Sequence, residues 1–151
     1  MDANDQAIQK IRAHHAALLG GLRGRCEGML HSAAGGGAVE VSRADMLSYL
    51  SEEILPHAEA EEATIYRRGH NLPELALLLD GMIAEHAGLR KLTGDFEAAP
   101  SARAAAIGLA ITELFALHAD KENDLLLPRL AQEPGVSVHD LLGDMHDLLE
   151  G

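Results

Sequence analysis

Apolar residues recur every three or four positions along most of this chain, with polar residues filling the gaps, which is the period of amphipathic helices rather than strands. Ile8, Ile11, Leu18, Leu19 and Leu22, with His15 among them, mark one face of a first helix running from about Asn4 into the early thirties. Its second half carries Gly20, Gly21, Gly24 and Gly28. Each costs up to about 1 kcal/mol against Ala inside a helix, which predicts close packing or local looseness there. Gly35, Gly36 and Gly37 predict a flexible connection over about 34–41.

Ser42 followed by Asp45 reads as the capped start of a second helix. That helix runs to about Arg67, and Pro56 predicts a kink because it removes a donor and crowds the preceding turn. Pro73 opens a third helix lasting to about Glu97, and Pro100 and Ser101 precede a fourth that ends between Pro128 and Gln132. Ser137 to Asp140 caps a short fifth helix with an apolar stripe of Leu141, Leu142, Met145, Leu148 and Leu149. A weak internal repeat links His15 and Leu18 in the first helix to His86 and Leu89 in the third, and His57 and Glu61 in the second to His118 and Glu122 in the fourth. The pattern predicts an all-α fold: an up-down-up-down four-helix bundle with a short extra C-terminal helix. We expect a single domain over 1–151, with the bundle core at about 4–132 and the C-terminal helix at about 137–150.

Composition narrows the partners. The 151 residues are 47% hydrophobic but only 3% aromatic, so Leu, Ala and Met fill the core. A net charge of −12 argues against a nucleic-acid surface, which needs clustered Lys and Arg. Cys26 is the single cysteine, so no disulfide forms within the chain, in keeping with a reducing compartment. The start is polar and acidic, without the features of a secretory signal. No apolar run is read as long enough to span a bilayer. Together these predict a cytoplasmic protein with neither membrane nor nucleic acid as partner.

The chemistry lies in the repeated pair. His57 with Glu61 and His118 with Glu122 stand four residues apart, the spacing that places two side chains on one helix face. With His15 and His86 they give four imidazoles and two carboxylates, at least one from each main helix. Carboxylates can bridge two metals roughly 3.5–4 Å apart while imidazoles cap each ion from outside. Mixed nitrogen and oxygen ligation suits iron, with manganese or zinc as less favoured occupants; calcium prefers oxygen alone. Glu62 and Glu85 read as outer-sphere or surface acids. His14 points about 100° away from His15 and is left out. His31, His70, His139 and His146 read as loop or solvated residues, and Cys26 as a buried inert thiol.

At these positions the chain resembles the hemerythrin-like family, in particular the bacterial HHE cation-binding domains, over roughly residues 8–130. The resemblance rests on His15, on Pro56, His57, Glu61 and Glu62, on Glu85 and His86, and on His118, Glu122, Leu127 and Pro128. It implies two iron ions in a non-heme di-iron centre with oxo or hydroxo and carboxylate bridges. His15, His57, His86 and His118 would be terminal ligands, and Glu61 and Glu122 bridges. The oxygen-carrying hemerythrins have a second histidine one turn from the first in helix three. Here Met82 and Arg90 stand one turn either side of His86, and neither is a replacement. Solvent fills the vacant position, or Glu53 or Tyr49 supplies a further ligand. Open positions favour binding, sensing or reducing a small oxidant (dioxygen, peroxide or nitric oxide) over reversible oxygen storage. A di-iron peroxidase, catalase-like or nitric oxide reductase activity is the enzymatic alternative, and iron storage or delivery for iron-sulfur repair is a third. A sensor of this size needs a protein partner for its output; a homodimer is the other association considered.

Overall fold

The computed structural model describes residues 1–37 and 39–151. Among these the chain is helical throughout, with no strand, in five stretches. Helix α1 spans Ala3–Gly35, α2 spans 39–69, α3 spans Pro73–Ala98, α4 spans Ser101–Gln132 and α5 spans Val138–Glu150. Part of the connection expected over 34–41, residue 38, lies outside the described residues.

Local chemistry sets most of these limits. Asp2 accepts a bond from the Asp5 amide at 2.8 Å to cap α1, which closes at Gly36 in the left-handed conformation, φ 66°. Pro73 opens α3, and the Ser137 hydroxyl accepts from the Asp140 amide at 3.1 Å to start α5. The start expected at Ser42 is a correction. Helix α2 is already helical from Val39, and the Ser42 hydroxyl lies 2.9 Å from that of Ser32 instead of capping. Gly20, Gly24 and Gly28 face open space, so close packing accounts for none of them. Of the four glycines in this half of α1, Gly21 alone is pressed, because the Tyr49 ring occupies the place of its Cβ.

Neither Pro56 nor Pro128 ends its helix. Each follows a π-helical turn, Leu50–Ile54 in α2 and Glu122–Leu126 in α4, where the backbone bonds i to i+5. A second π turn in α2 covers Glu62–Tyr66. The widened backbone upstream of each proline carries the chain past its missing donor.

Two apolar clusters form the core, one on each side of the histidines. The first contains Ile11, Ile65, Leu79, Met82 and Leu127; the second contains Leu18, Ile54, Leu89, Phe96 and Phe115. The clusters are met in alternating order along α1 to α4, and α4 packs on both α1 and α3. This is compatible with four helices running up, down, up and down. Each of His15, His57, His86 and His118 falls where its helix passes from one cluster to the other. Helix α5 covers the first cluster by burying Val138 and Met145 against α1 and α2. Arg43, which belongs to no sequence pattern, is buried and donates to the carbonyls of Phe96 at 2.8 Å and Ala99 at 2.7 Å, satisfying the C-terminal end of α3. Helix α4 corrects the reading that no apolar stretch is long enough to span a bilayer. It meets that length and composition, although its buried face packs on α1 and α3 and carries His118 and Glu122.

Candidate metal centre

All six residues singled out by spacing are buried and meet between the two apolar clusters, each at most 3% exposed. Their donor atoms fall into two groups within 4.8 Å: Glu61, His86, His118 and Glu122, and His15, His57 and Glu61. Glu61 belongs to both. Its Oε2 lies 3.4 Å from His15 Nε2 and 3.3 Å from His57 Nε2, while its Oε1 lies 3.5 Å from His86 Nε2. Glu122 also spans the halves, with Oε1 at 2.7 Å from His118 Nε2 and Oε2 at 3.8 Å from His15 Nε2. Ligands bound about 2.1 Å from one ion can stand no more than about 4.2 Å apart. These separations all fit within that limit.

The hydrogen bonding supports a cation. His15 Nε2, His57 Nε2 and Glu61 Oε2 are buried without a partner. Leaving such a group unsatisfied costs about 1–3 kcal/mol, and a shared positive ion would satisfy all three. Behind the inward nitrogens, His86 Nδ1 lies 3.1 Å from Glu62, which Arg90 holds at 3.0 Å. His118 Nδ1 lies 3.1 Å from Glu85, which Lys121 holds at 2.5 Å. His15 Nδ1 meets the side-chain oxygen of Asn123 at 2.8 Å. A ring whose outer nitrogen donates to an acceptor presents its other nitrogen as a lone pair, the tautomer a metal needs. Glu62 and Glu85, expected as outer-sphere or surface acids, thus stand behind two of the imidazoles. Asn123 had no signal in the sequence, because an isolated Asn has no ligand spacing.

Electrostatics follow from putting two carboxylates in one dry place. Burial works against ionising Glu61, but His57, Glu122 and His15 outweigh it and hold its pKa well below the usual carboxylate range. Burial and the charge of Glu61 push Glu122 the other way, so Glu122 keeps the proton of the pair. Burial opposes protonation of His15, yet Glu61 and Glu122 raise its pKa to about 9.

Neither candidate for the vacant position reaches the site. Tyr49 is turned to donate to the Leu18 carbonyl at 3.0 Å, and Glu53 is exposed. Tyr66 is there instead. Its side chain is 1% exposed, and its hydroxyl lies 2.7 Å from His118 Nε2 and 3.5 Å from His86 Nε2. In a regular α-helix the fifth residue after Glu61 would stand about 140° around the axis, facing away from the ligands. The π turn over Glu62–Tyr66 bonds i to i+5 and returns Tyr66 to the ligand face. Burial, with Glu61 and Glu122 close by, raises its pKa and keeps the phenol protonated in the metal-free protein.

A buried cage of imidazoles and carboxylates inside a helical domain defines a metal-binding protein. The chain matches the family model described as the hemerythrin HHE cation binding domain over residues 6–147, and it belongs to that family. Neither the curated proteins nor the solved structures contain a match.

Proposed function

We propose that this domain holds two iron ions inside an up-down-up-down four-helix bundle, with His15 and His57 on one ion and His86 and His118 on the other. Glu61 and Glu122 span the pair. The observation that carries the two-ion reading is Glu61, which directs one oxygen to each group of imidazoles. Iron, rather than zinc or manganese, rests on the mixed donor set and on the family. The physiological reactant is a small oxidant: dioxygen, peroxide or nitric oxide. Ligands no more than 3% exposed, with a cavity of about 130 Å³ reaching His57, suit a small molecule better than a bulky organic substrate.

Iron held by these residues would supply the electrons for reducing an oxidant. The chain supplies the surroundings. The two apolar clusters exclude water, and Glu62, Glu85 and Asn123 fix three imidazoles in their tautomers. Tyr66 stands at the His86 and His118 side, where its hydroxyl holds a proton in a dry site; once it had passed that proton on, the phenolate would offer a further oxygen to the metal. That proton favours reduction of peroxide or dioxygen over reversible carriage, which keeps a peroxidase or catalase-like activity as the enzymatic form of this reading.

The test is the visible spectrum of reduced, iron-loaded protein as dioxygen is admitted. Prompt conversion to a stable ferric spectrum, together with peroxide consumption that is absent in Glu61→Ala, is expected. A lasting adduct reversed by removing dioxygen would establish carriage instead.

A further inference from the structure

The two halves of the centre are backed differently. Carboxylates stand behind both His86 and His118, each carboxylate held by a cation. Behind His15 stands only the neutral amide of Asn123, and the outer nitrogen of His57 is buried with no partner at all. Tyr66 adds a donor to the first half and none to the second. His57 also lines a cavity of about 130 Å³ under α5, walled by Ile11, Leu142, Met145 and Leu149. Exposed His14 and His146 lie at the same cavity, and the His14 ring centre is 5.0 Å from that of His57.

We propose that the two ions are held unequally: the ion between His86 and His118 is retained, and the ion under His15 and His57 exchanges past His57 through this cavity, with His14 and His146 as transient ligands on the way. This rests on the two-ion reading above. An outer-sphere partner is worth about 10–100-fold in metal affinity, so two carboxylate-backed imidazoles outrank one backed by an amide and one with no partner. One effect opposes this. In the metal-free protein Tyr66 and Glu122 already bond His118, and the first ion must displace them. A net hydrogen bond is worth roughly 2–12-fold, less than the two carboxylate partners combined. A His57 ring without an outer bond can also turn aside, whereas His86 and His118 are each fixed at both nitrogens.

The experiment is an anaerobic calorimetric titration of the metal-free full chain with ferrous iron, followed by release to a chelator. Two binding steps at least about tenfold apart are expected, with one equivalent released ahead of the other. Asn123→Asp places a carboxylate behind His15 and should tighten the weaker step by about tenfold while leaving the stronger one unmoved. Glu85→Gln should weaken the stronger step alone, and keeps the proposal testable if the aspartate variant folds poorly. Leu142→Phe, which fills the cavity, should slow release of the early equivalent only. Two equivalents bound in one step, or Asn123→Asp acting on the stronger step, would overturn the inequality and leave the two-ion reading intact. Uptake of fewer than two ions would overturn both.

Discussion

Helices α2 and α4 carry the same His and Glu pair and widen into π turns at its end, from the residue after Glu61 in one (Glu62–Tyr66) and from Glu122 itself in the other (Glu122–Leu126). Five residues after the glutamate, however, α2 presents Tyr66 and α4 presents Leu127. Both are fully buried, at 1% and 0% exposure, so packing alone does not distinguish them. Tyr66 directs a hydroxyl at two imidazoles, while Leu127 belongs wholly to the apolar cluster that α5 covers. The same backbone device thus delivers chemistry on one helix and packing on the other. The inequality of the centre is written largely in side chains placed by these turns.

The largest change should come from removing what both halves share. Glu61→Ala is expected to lose both ions, measured as iron per chain after gel filtration. Metal at about 100 times its dissociation constant stabilises a protein by about 2.7 kcal/mol, or about 5–11 °C in a chain of this size. Wild-type protein should show that rise in melting midpoint and lose it to a chelator, while Glu61→Ala shows none. Equal midpoints for wild-type protein with and without saturating metal would sink the metal site itself. Metal uptake should also depend on pH, with a definite sign. His15, raised to about 9, is protonated at neutral pH in the metal-free protein, and Glu122 holds a proton as well. Binding must displace these protons, so affinity should rise by up to about tenfold per pH unit for each proton displaced as pH climbs towards 9. Titrations in buffers of differing ionisation enthalpy would count the protons, and zero released would contradict the ligand assignment.

The contrast between Tyr66 and Leu127 predicts a crossed pair of effects. Leu127→Ala should cost about 2–5 kcal/mol as a core truncation, read by denaturant unfolding, with iron content at saturating metal unchanged. Tyr66→Phe should cost only about 0.5–1.5 kcal/mol for one hydrogen bond. It should instead alter the visible spectrum of the ferric protein by removing a phenolate-to-iron charge-transfer band. If Tyr66→Phe leaves that spectrum untouched, the phenol acts only as a hydrogen-bond donor to His118.

How far the sequence reached is clear from these residues. The helices were legible because their apolar faces repeat at the α period, and the His-x-x-x-Glu pairs because four residues is one α turn. Of the four starts read from Ser and Pro, those at Pro73, Pro100–Ser101 and Ser137 agree with the structure and the Ser42 start does not; the Asp2 cap of α1 was not among them. Tyr66 was invisible to the same reasoning, since its place on the ligand face depends on a π turn that α periodicity misplaces by well over a right angle. Asn123 and Arg43 act through tertiary contacts to His15 and to the end of α3, which no local pattern encodes. Tyr49 failed as a ligand for a similar reason: it lies one residue before the first π turn of α2, and Gly21 leaves room that draws its ring towards α1.

The smallest predicted effect falls on Glu53, and it separates spacing from placement. Glu53 stands four residues before His57, the same interval that joins His57 to Glu61, so by α spacing it belongs to the ligand stripe. It lies inside the π turn Leu50–Ile54, which shifts the face of the helix before His57 is reached, and its side chain is exposed. An exposed carboxylate away from the centre contributes within about ±0.5 kcal/mol to stability. Glu53→Gln should therefore bind two ions with wild-type affinity and melt within a degree or two of the wild type, whereas Glu61→Gln, the same chemical change eight residues later, should lose metal. A drop in iron content for Glu53→Gln would mean that the π turn closes to an α turn when metal binds, bringing a carboxylate into the centre that the metal-free arrangement keeps out.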